Sequence, residues 1–512
     1  MKESKGNAIS YKSAVIFLFC AITAFFLLMI CSRSSFLYPC NDWNDANSYF
    51  TMGKAMMNGQ IIYRDLYDQK GPYLYLLYGL AYLMHHTSFA GVFVLEITAV
   101  AFFLFFCYKI LRLYCSKAVS CFLLPVLGAA VLSSKSFYWG GAAEEFCLPL
   151  LSGSLYCTIK YYKEQYPKDP CLKMIFLNGI SAGIIMQIKY NILGFHFAWM
   201  AMIAFSLLFR KEWKNFFKSC LLFLGGMLLT FIPWLVYFGI NNALDDWYQC
   251  YVYNNVFLYS NLQQEEISLT SRIYDLAKLL YWLILDNLSY FFFIILGGVY
   301  FLLSRKIHWY EKINLLMLSG LLFLGIYVGG SNLPYYSIPL TIFTCLGTVA
   351  IGRALDKTAG KVLATHSLSR YCKIIMPTAL LLSIGSSMAF SYGHSMNSYF
   401  MKQEQSSYFL YQFRDMIRQE EDPSLLNIGC LDAGLYTVAD IMPTCKYFQT
   451  NGIAFDEMFQ EQYRYIEEGR TQYILARDEY PEIINEKYEL ISSQPYEWSG
   501  MEFTYFLFRR RS

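Results

Sequence analysis

The chain has 512 residues, 56% of them hydrophobic and only 15% charged, with 41 Lys and Arg against 38 Asp and Glu. Soluble domains carry about 25% charged residues, and here the apolar positions form unbroken runs at a mean hydropathy of +0.32. A soluble enzyme, a disordered chain and a small disulfide scaffold are thereby excluded, and the net charge of +3 offers no surface for nucleic acid.

The chain opens with a polar stretch, residues 1–13, followed by the apolar run Ala14–Cys31. No small-residue cleavage site follows it, so an uncleaved first span is expected. Further candidate spans are Phe89–Leu111, Ala118–Leu132, Phe146–Tyr161, Met174–Ile188, Ile192–Phe209, Ser219–Ile240, Leu288–Leu303, Ile313–Val328, Tyr335–Ile351 and Ile374–Phe390. That makes about 11 transmembrane helices, each long enough or nearly so for a hydrocarbon core about 30 Å thick. Pro72–Met84 is read as a helix in the outer interface. With that choice Lys109, Arg112, Lys163, Arg210, Lys306, Arg353 and Arg370 all fall in inner loops, as the positive-inside rule requires. The amino terminus is then cytoplasmic and the carboxyl terminus extracytoplasmic, in a multi-pass plasma-membrane protein.

Residues 1–391 form the expected membrane domain, with long outer loops at 32–88 and 133–145. The composition turns polar in residues 392–512, where LLNIGCLD, QYILARD and FTYFLFRR read as strands and Phe455–Glu468 as a helix. The fold class is therefore an α-helical polytopic membrane protein carrying a small extracytoplasmic α/β domain. The 15 cysteines lie mostly inside apolar runs and show no zinc spacing. Nothing in the spacing of Cys430 and Cys445 fixes a bridge between them.

Three places hold polar residues where chemistry could reside. The first outer loop gathers Asp42, Asp45, Asp65 and Asp68 with Lys54, Arg64 and Lys70. A solvated loop is the plain reading, but the Lys70–Gly71–Pro72 turn starts the interfacial helix and sets Lys70 at headgroup depth, where a cation meets lipid phosphate. In the second loop Glu144 and Glu145 stand at the mouth of a span. The helix dipole alone could account for them; facing the Asp45 loop, they would serve as ligands for a metal, sugar hydroxyls or an acceptor. Lys189 is a lone cation in an outer hairpin, suited to an anionic headgroup, an acidic partner or simple snorkelling. Finally, residues 328–340 (VGGSNLPYYSIPL) break the helical pattern, which membranes tolerate where backbone lines a cavity or is buried in protein.

In order and sidedness these features resemble the GT-C superfamily of membrane glycosyltransferases, on the branch of the protein O-mannosyltransferases and the lipid A aminoarabinose transferase. Asp45, Tyr49 and Gly59 match the family's first-loop pattern, and Lys70–Gly71–Pro72 its turn into an interfacial helix. Glu144–Glu145 matches its second acidic motif, and Gly329–Gly330, Tyr335–Tyr336 and Pro339 its late outer segment. The resemblance implies an inverting transferase that takes a sugar from a polyprenyl-phosphate donor at the outer face. The acceptor would be a glycan, a lipid or a protein, and membrane lipids are further partners. Asp45 would be the base, or Asp42 if the register differs. Lys70, or a divalent metal at Asp68 and Glu144, would neutralise the leaving phosphate, with Tyr49, Glu144, Glu145, Lys189, Tyr335 and Tyr336 in the substrate site. The family often has Glu directly before the turn lysine, whereas this chain has Gln69 there with Asp68 one residue earlier, which puts the metal in question. Two other classes compete. A transporter or flippase of lipid-linked sugars would place charges near the midplane, yet they gather at one face. A surface-polysaccharide polymerase or ligase would carry an arginine-rich late loop, yet Asn241–Lys278 holds only Arg272 among its arginines.

Overall fold

The computed structural model describes residues 2–259, 268–330, 332–363, 372–450, 455–498 and 501–511. Arg370 and Ser331 lie outside the described residues. The chain divides into two units: Met1–Ser32, Glu96–Ile232 and Glu265–Tyr399 form one, and Arg33–Leu95, Pro233–Gln264 and Phe400–Ser512 the other.

The first unit is helical, as it must be when no water is present to satisfy backbone groups. Every expected span overlaps a helix. Six helices among the described residues are long and apolar enough to cross a membrane. A seventh joins them if Leu269–Asp286 and Leu288–Leu303, bent by 113°, count as one. This is fewer than the 11 expected. Two of the apolar runs, Lys117–Leu132 and Leu172–Met186, have 16 and 15 residues, which at 1.5 Å per residue reach only about 24 and 22 Å. The segment expected as Tyr335–Ile351 begins instead as a 3-10 helix, Pro334–Phe343, before the α-helix Thr344–Leu363. Its prolines and their missing N–H groups account for the irregular start.

In the second unit the first loop is not open chain. It holds the helices Asn44–Met57 and Pro72–Met84, the latter with the bounds its sequence predicts. Gly71 precedes it in an extended conformation and Pro72 takes the first helical position, where the absent N–H costs nothing. The two helices touch along Gly53, where an added Cβ would lie 2.4 Å from the Gly79 nitrogen and 2.7 Å from the Tyr75 carbonyl oxygen. Two further helical segments, missed by hydropathy, follow Asn241: the π-helix Tyr248–Tyr259 in this unit and the helix Leu269–Asp286 in the other.

The tail carries a four-stranded sheet: β1 (Leu425–Ile428), β2 (Tyr473–Arg477), β3 (Tyr488–Trp498) and β4 (Met501–Arg510), in the order β1-β2-β4-β3. β1 runs parallel to β2 with Leu425 opposite Tyr473, and the helix Asp456–Glu468 lies between them in sequence. The other pairs are antiparallel, Leu475 meeting Leu507. β3 escapes a sequence reading because Pro495 and its polar neighbours look like a loop. It is an edge strand, where proline is tolerated. Cys430 and Cys445 are both free and buried.

Polar ties join the helix Asn44–Met57 to the tail within this unit. Thr51 donates to Asp432 at 2.6 Å, and Lys54 pairs with Asp440 at 2.7 Å. Burial pushes the Asp432 carboxyl up to about 6, against the pull of the Thr51 hydroxyl, the Gly434 N–H and the Lys54 charge. The folded state therefore holds this proton more tightly than the unfolded chain does. Stability should fall as pH rises from about 4 to 6, by on the order of 3 kcal/mol from this group. Thermal unfolding of the detergent-solubilised protein across that range should show the loss, and Asp432→Asn should flatten it.

Candidate active site

The charges of Asp45 and Lys70 both act on Asp68, at the start of the two first-loop helices. Asp45 occupies the first turn of Asn44–Met57 and is half-buried. Asp68 is buried and accepts from the Tyr75 hydroxyl at 2.8 Å. Burial raises its carboxyl above the ordinary range. The Lys70 charge and the Tyr75 hydroxyl oppose that rise, and the Asp45 charge adds to it. Lys70 itself is rooted by its backbone: its N–H donates to the Tyr75 oxygen at 2.8 Å, and its carbonyl accepts from the Tyr63 hydroxyl at 2.6 Å. Asn255, from the π-helix, donates to the Gln69 carbonyl at 2.8 Å. Tyr49 is buried, its ring edge-on to Tyr78 at 5.5 Å.

The other candidates are placed differently. Asp42 forms a buried ion pair with Arg33 and accepts from the Tyr408 and Tyr496 hydroxyls. Both of its oxygens are engaged by the fold, which makes it a structural anchor of the loop. Asp65 accepts from the Ile61 N–H at 2.7 Å and pairs with exposed Arg64, closing the loop turn.

In the first unit, Glu144, Lys189, Tyr335 and Tyr336 come together. Lys189 forms an ion pair with Glu144, their side chains 10% and 2% exposed. The ammonium also sits 3.7 Å from the centroid of the Tyr336 ring and 5.1 Å from that of Tyr335, a cation–π arrangement that strengthens when water is excluded. The charge of Lys189 is thus met by an acidic partner and two rings. Glu145 accepts from the Gly141 N–H at 3.0 Å and faces Glu96.

Glu96 was missed by the sequence reading. It is fully buried, with the Ser32 hydroxyl 2.9 Å from each of its oxygens. The available signal was a lone carboxylate inside the apolar run Phe89–Leu111, which is expensive without a partner. Gly140, at φ +84°, makes this approach possible, because a Cβ there would lie 2.2 Å from the Ser32 hydroxyl and 2.5 Å from a Glu96 oxygen. The second loop is further held by Ser136, whose hydroxyl lies 2.6 Å from that of Ser337 and 2.8 Å from the Asn287 side-chain oxygen.

These residues do not fit a divalent metal. Among the described residues no group of three or more His, Cys, Asp or Glu side chains could hold one. Glu144 is already neutralised by Lys189.

The chain has helices long and apolar enough to cross a membrane and a small sheet in its tail, and its fold is shared by solved structures. Among solved structures the chain is similar to the crystal structure of ArnT from Cupriavidus metallidurans bound to undecaprenyl phosphate. The TM-score is 0.60 at 12% identity, covering 96% of this chain and 97% of that one. It is similar to the same enzyme in the apo state, with a TM-score of 0.59 at 12% identity and 98% of each chain covered. No protein-family profile and no curated protein sequence matches.

The Glu144–Lys189 pair offers a test of this geometry. Lys189→Met strands a buried carboxylate and should cost about 3–5 kcal/mol, read as a lowered Tm in detergent. Adding Glu144→Gln to it should restore much of the loss, since the two effects are coupled.

Proposed function

We propose that the protein is an inverting glycosyltransferase that moves a sugar from a polyprenyl-phosphate donor to an acceptor hydroxyl at the outer face of the membrane. The observation that carries this reading is the Asp45–Asp68–Lys70 group: Asp45 and Lys70 both act on the buried Asp68 carboxyl, and the lysine's backbone is fixed at both its N–H and its carbonyl. In one displacement the acceptor oxygen bonds to the anomeric carbon while its proton passes to Asp45. The bond from that carbon to the phosphate oxygen breaks, its electron pair stays on the phosphate, and Lys70 meets the added charge. The fold supports the same reading, since the ArnT structure that shares it holds undecaprenyl phosphate. Asp68, kept buried beside Lys70, holds that lysine in place. Glu144, Lys189, Tyr335 and Tyr336 are assigned to the substrate side of the helical unit.

The test uses purified protein, a panel of polyprenyl-phosphate sugars and the release of polyprenyl phosphate. Asp45→Asn keeps size and hydrogen bonding but removes the base, so turnover should fall by about 10²–10⁴-fold with donor binding retained. Lys70→Ala should instead weaken donor binding, because the phosphate is anionic in the ground state too. Asp42→Asn should lower Tm through the loss of its Arg33 pair and leave the rate of the folded fraction near normal. Normal turnover by Asp45→Asn, with slowed turnover by Asp42→Asn, would transfer the base role to Asp42.

The orientation has its own test. We place the amino terminus and the basic loops inside, with about 11 crossings and the tail outside. Among exposed positions, a cysteine introduced at Ser406 should react with an impermeant thiol reagent in intact cells, and one at Ser116 should be protected. The reverse pattern would turn the assignment over.

A further inference from the structure

The unit that carries the tail contains a pocket of about 410 Å³ that includes none of Asp45, Asp68 and Lys70. Its walls come from residues 33–41 after the first span, Asn47, residues 87–93 at the head of the span Ala90–Arg112, and residues 403–411 with 437–438 of the tail. That volume lies within the range of small-molecule sites.

The lining has a distinct chemistry. Its single charged side chain is Arg33, which is already paired with Asp42, so the walls present no net charge. Around it stand the amides of Asn41, Asn47, Gln403 and Gln405 and the hydroxyls of Ser34 and Ser35. The floor is ordered by its own bonds: Asn41 donates to the Ser34 hydroxyl at 3.3 Å, and Asn47 to the Asn41 carbonyl at 2.9 Å. Gln403 and Gln405 are exposed at the mouth. Phe36 lies on the same wall, 68% exposed although it is a large apolar ring, and meets Phe93 edge-on at 6.2 Å.

Flat rings beside amides and hydroxyls suit a ligand with both an apolar face and many hydroxyls. An anionic headgroup would lack a spare cation here, and an acyl chain would strand the amides. We infer that this pocket binds a neutral carbohydrate, one sugar ring lying against Phe36 with its hydroxyls shared between the side-chain amides of Gln403 and Gln405 at the mouth. The inference rests on the proposed transferase reading for its biological meaning: the pocket would hold the acceptor as a neutral glycan, away from the donor phosphate at Lys70.

The experiment uses the full chain in lipid nanodiscs and a panel of neutral oligosaccharides built on glucose, mannose, galactose and N-acetylglucosamine. Binding is read by saturation-transfer NMR and by titration, with a phosphorylated oligosaccharide as the charged comparison. At least one neutral oligosaccharide should bind. Phe36→Ala combined with Gln403→Ala should weaken it by 10-fold or more, while Phe197→Ala, an exposed ring of a membrane helix, should leave it unchanged. Binding of polyprenyl phosphate should be the same in all three proteins. Absence of neutral-glycan binding, binding indifferent to the Phe36/Gln403 change, or preference for the phosphorylated sugar would overturn the assignment. Absence of glycan binding by the unaltered protein, with donor binding intact, refutes the pocket alone. Glycan binding without any donor binding or turnover refutes the transferase reading and leaves the pocket standing.

Discussion

A carboxylate removed from water costs several kcal/mol unless a cation or a hydrogen-bond donor meets it, and this constraint orders the polar part of the molecule. Asp42 is met by Arg33 and two tyrosines, Asp68 by Tyr75, Glu144 by Lys189, Glu96 by Ser32, and Asp432 by Thr51 and Gly434. Each pairing joins segments far apart in sequence or fixes a loop between two helices. Asp45, in the first turn of Asn44–Met57, is half-buried, and it is the group to which the proposed reaction assigns the base.

The same rule explains why the cationic partners fall into two kinds. Arg33 is enclosed, with its guanidinium 4.6 Å from the centroid of the Phe400 ring, and its planar fork suits a fixed ion pair. Lys70 is half-buried on a rigid backbone. A compact ammonium on a flexible stem can shift its position more freely than a planar fork held in an ion pair.

Much of the helical unit was legible because long apolar runs have few alternatives in lipid. Ala14–Cys31 and Phe89–Leu111 needed only hydropathy, and Pro72–Met84 only its Lys-Gly-Pro start. Crossing number was less legible, since Leu172–Met186 is apolar enough but short. A polar cluster was readable where a charge stood out against its surroundings, as with Lys189 and Glu144, which the structure pairs. It was unreadable where the partner lies far along the chain. Nothing local marks Asp42 for Tyr496, more than 400 residues later in the sequence, or singles out Asp432 for Thr51. The strand β3 was hidden for another reason, because edge position relaxes the composition that strands otherwise require.

That edge position also bears on how copies of the protein meet. A strand that closes one side of a sheet exposes N–H and C=O groups on which a neighbouring chain can template itself. On a membrane, molecules diffuse in two dimensions and collide often. β3 answers with Pro495, which lacks a donor, with Glu489 and Glu497 along its length, and with an irregularity between Leu490 and Ser492 that breaks its regular register with β4. This edge of the sheet is therefore a poor template for the strand of a neighbouring copy.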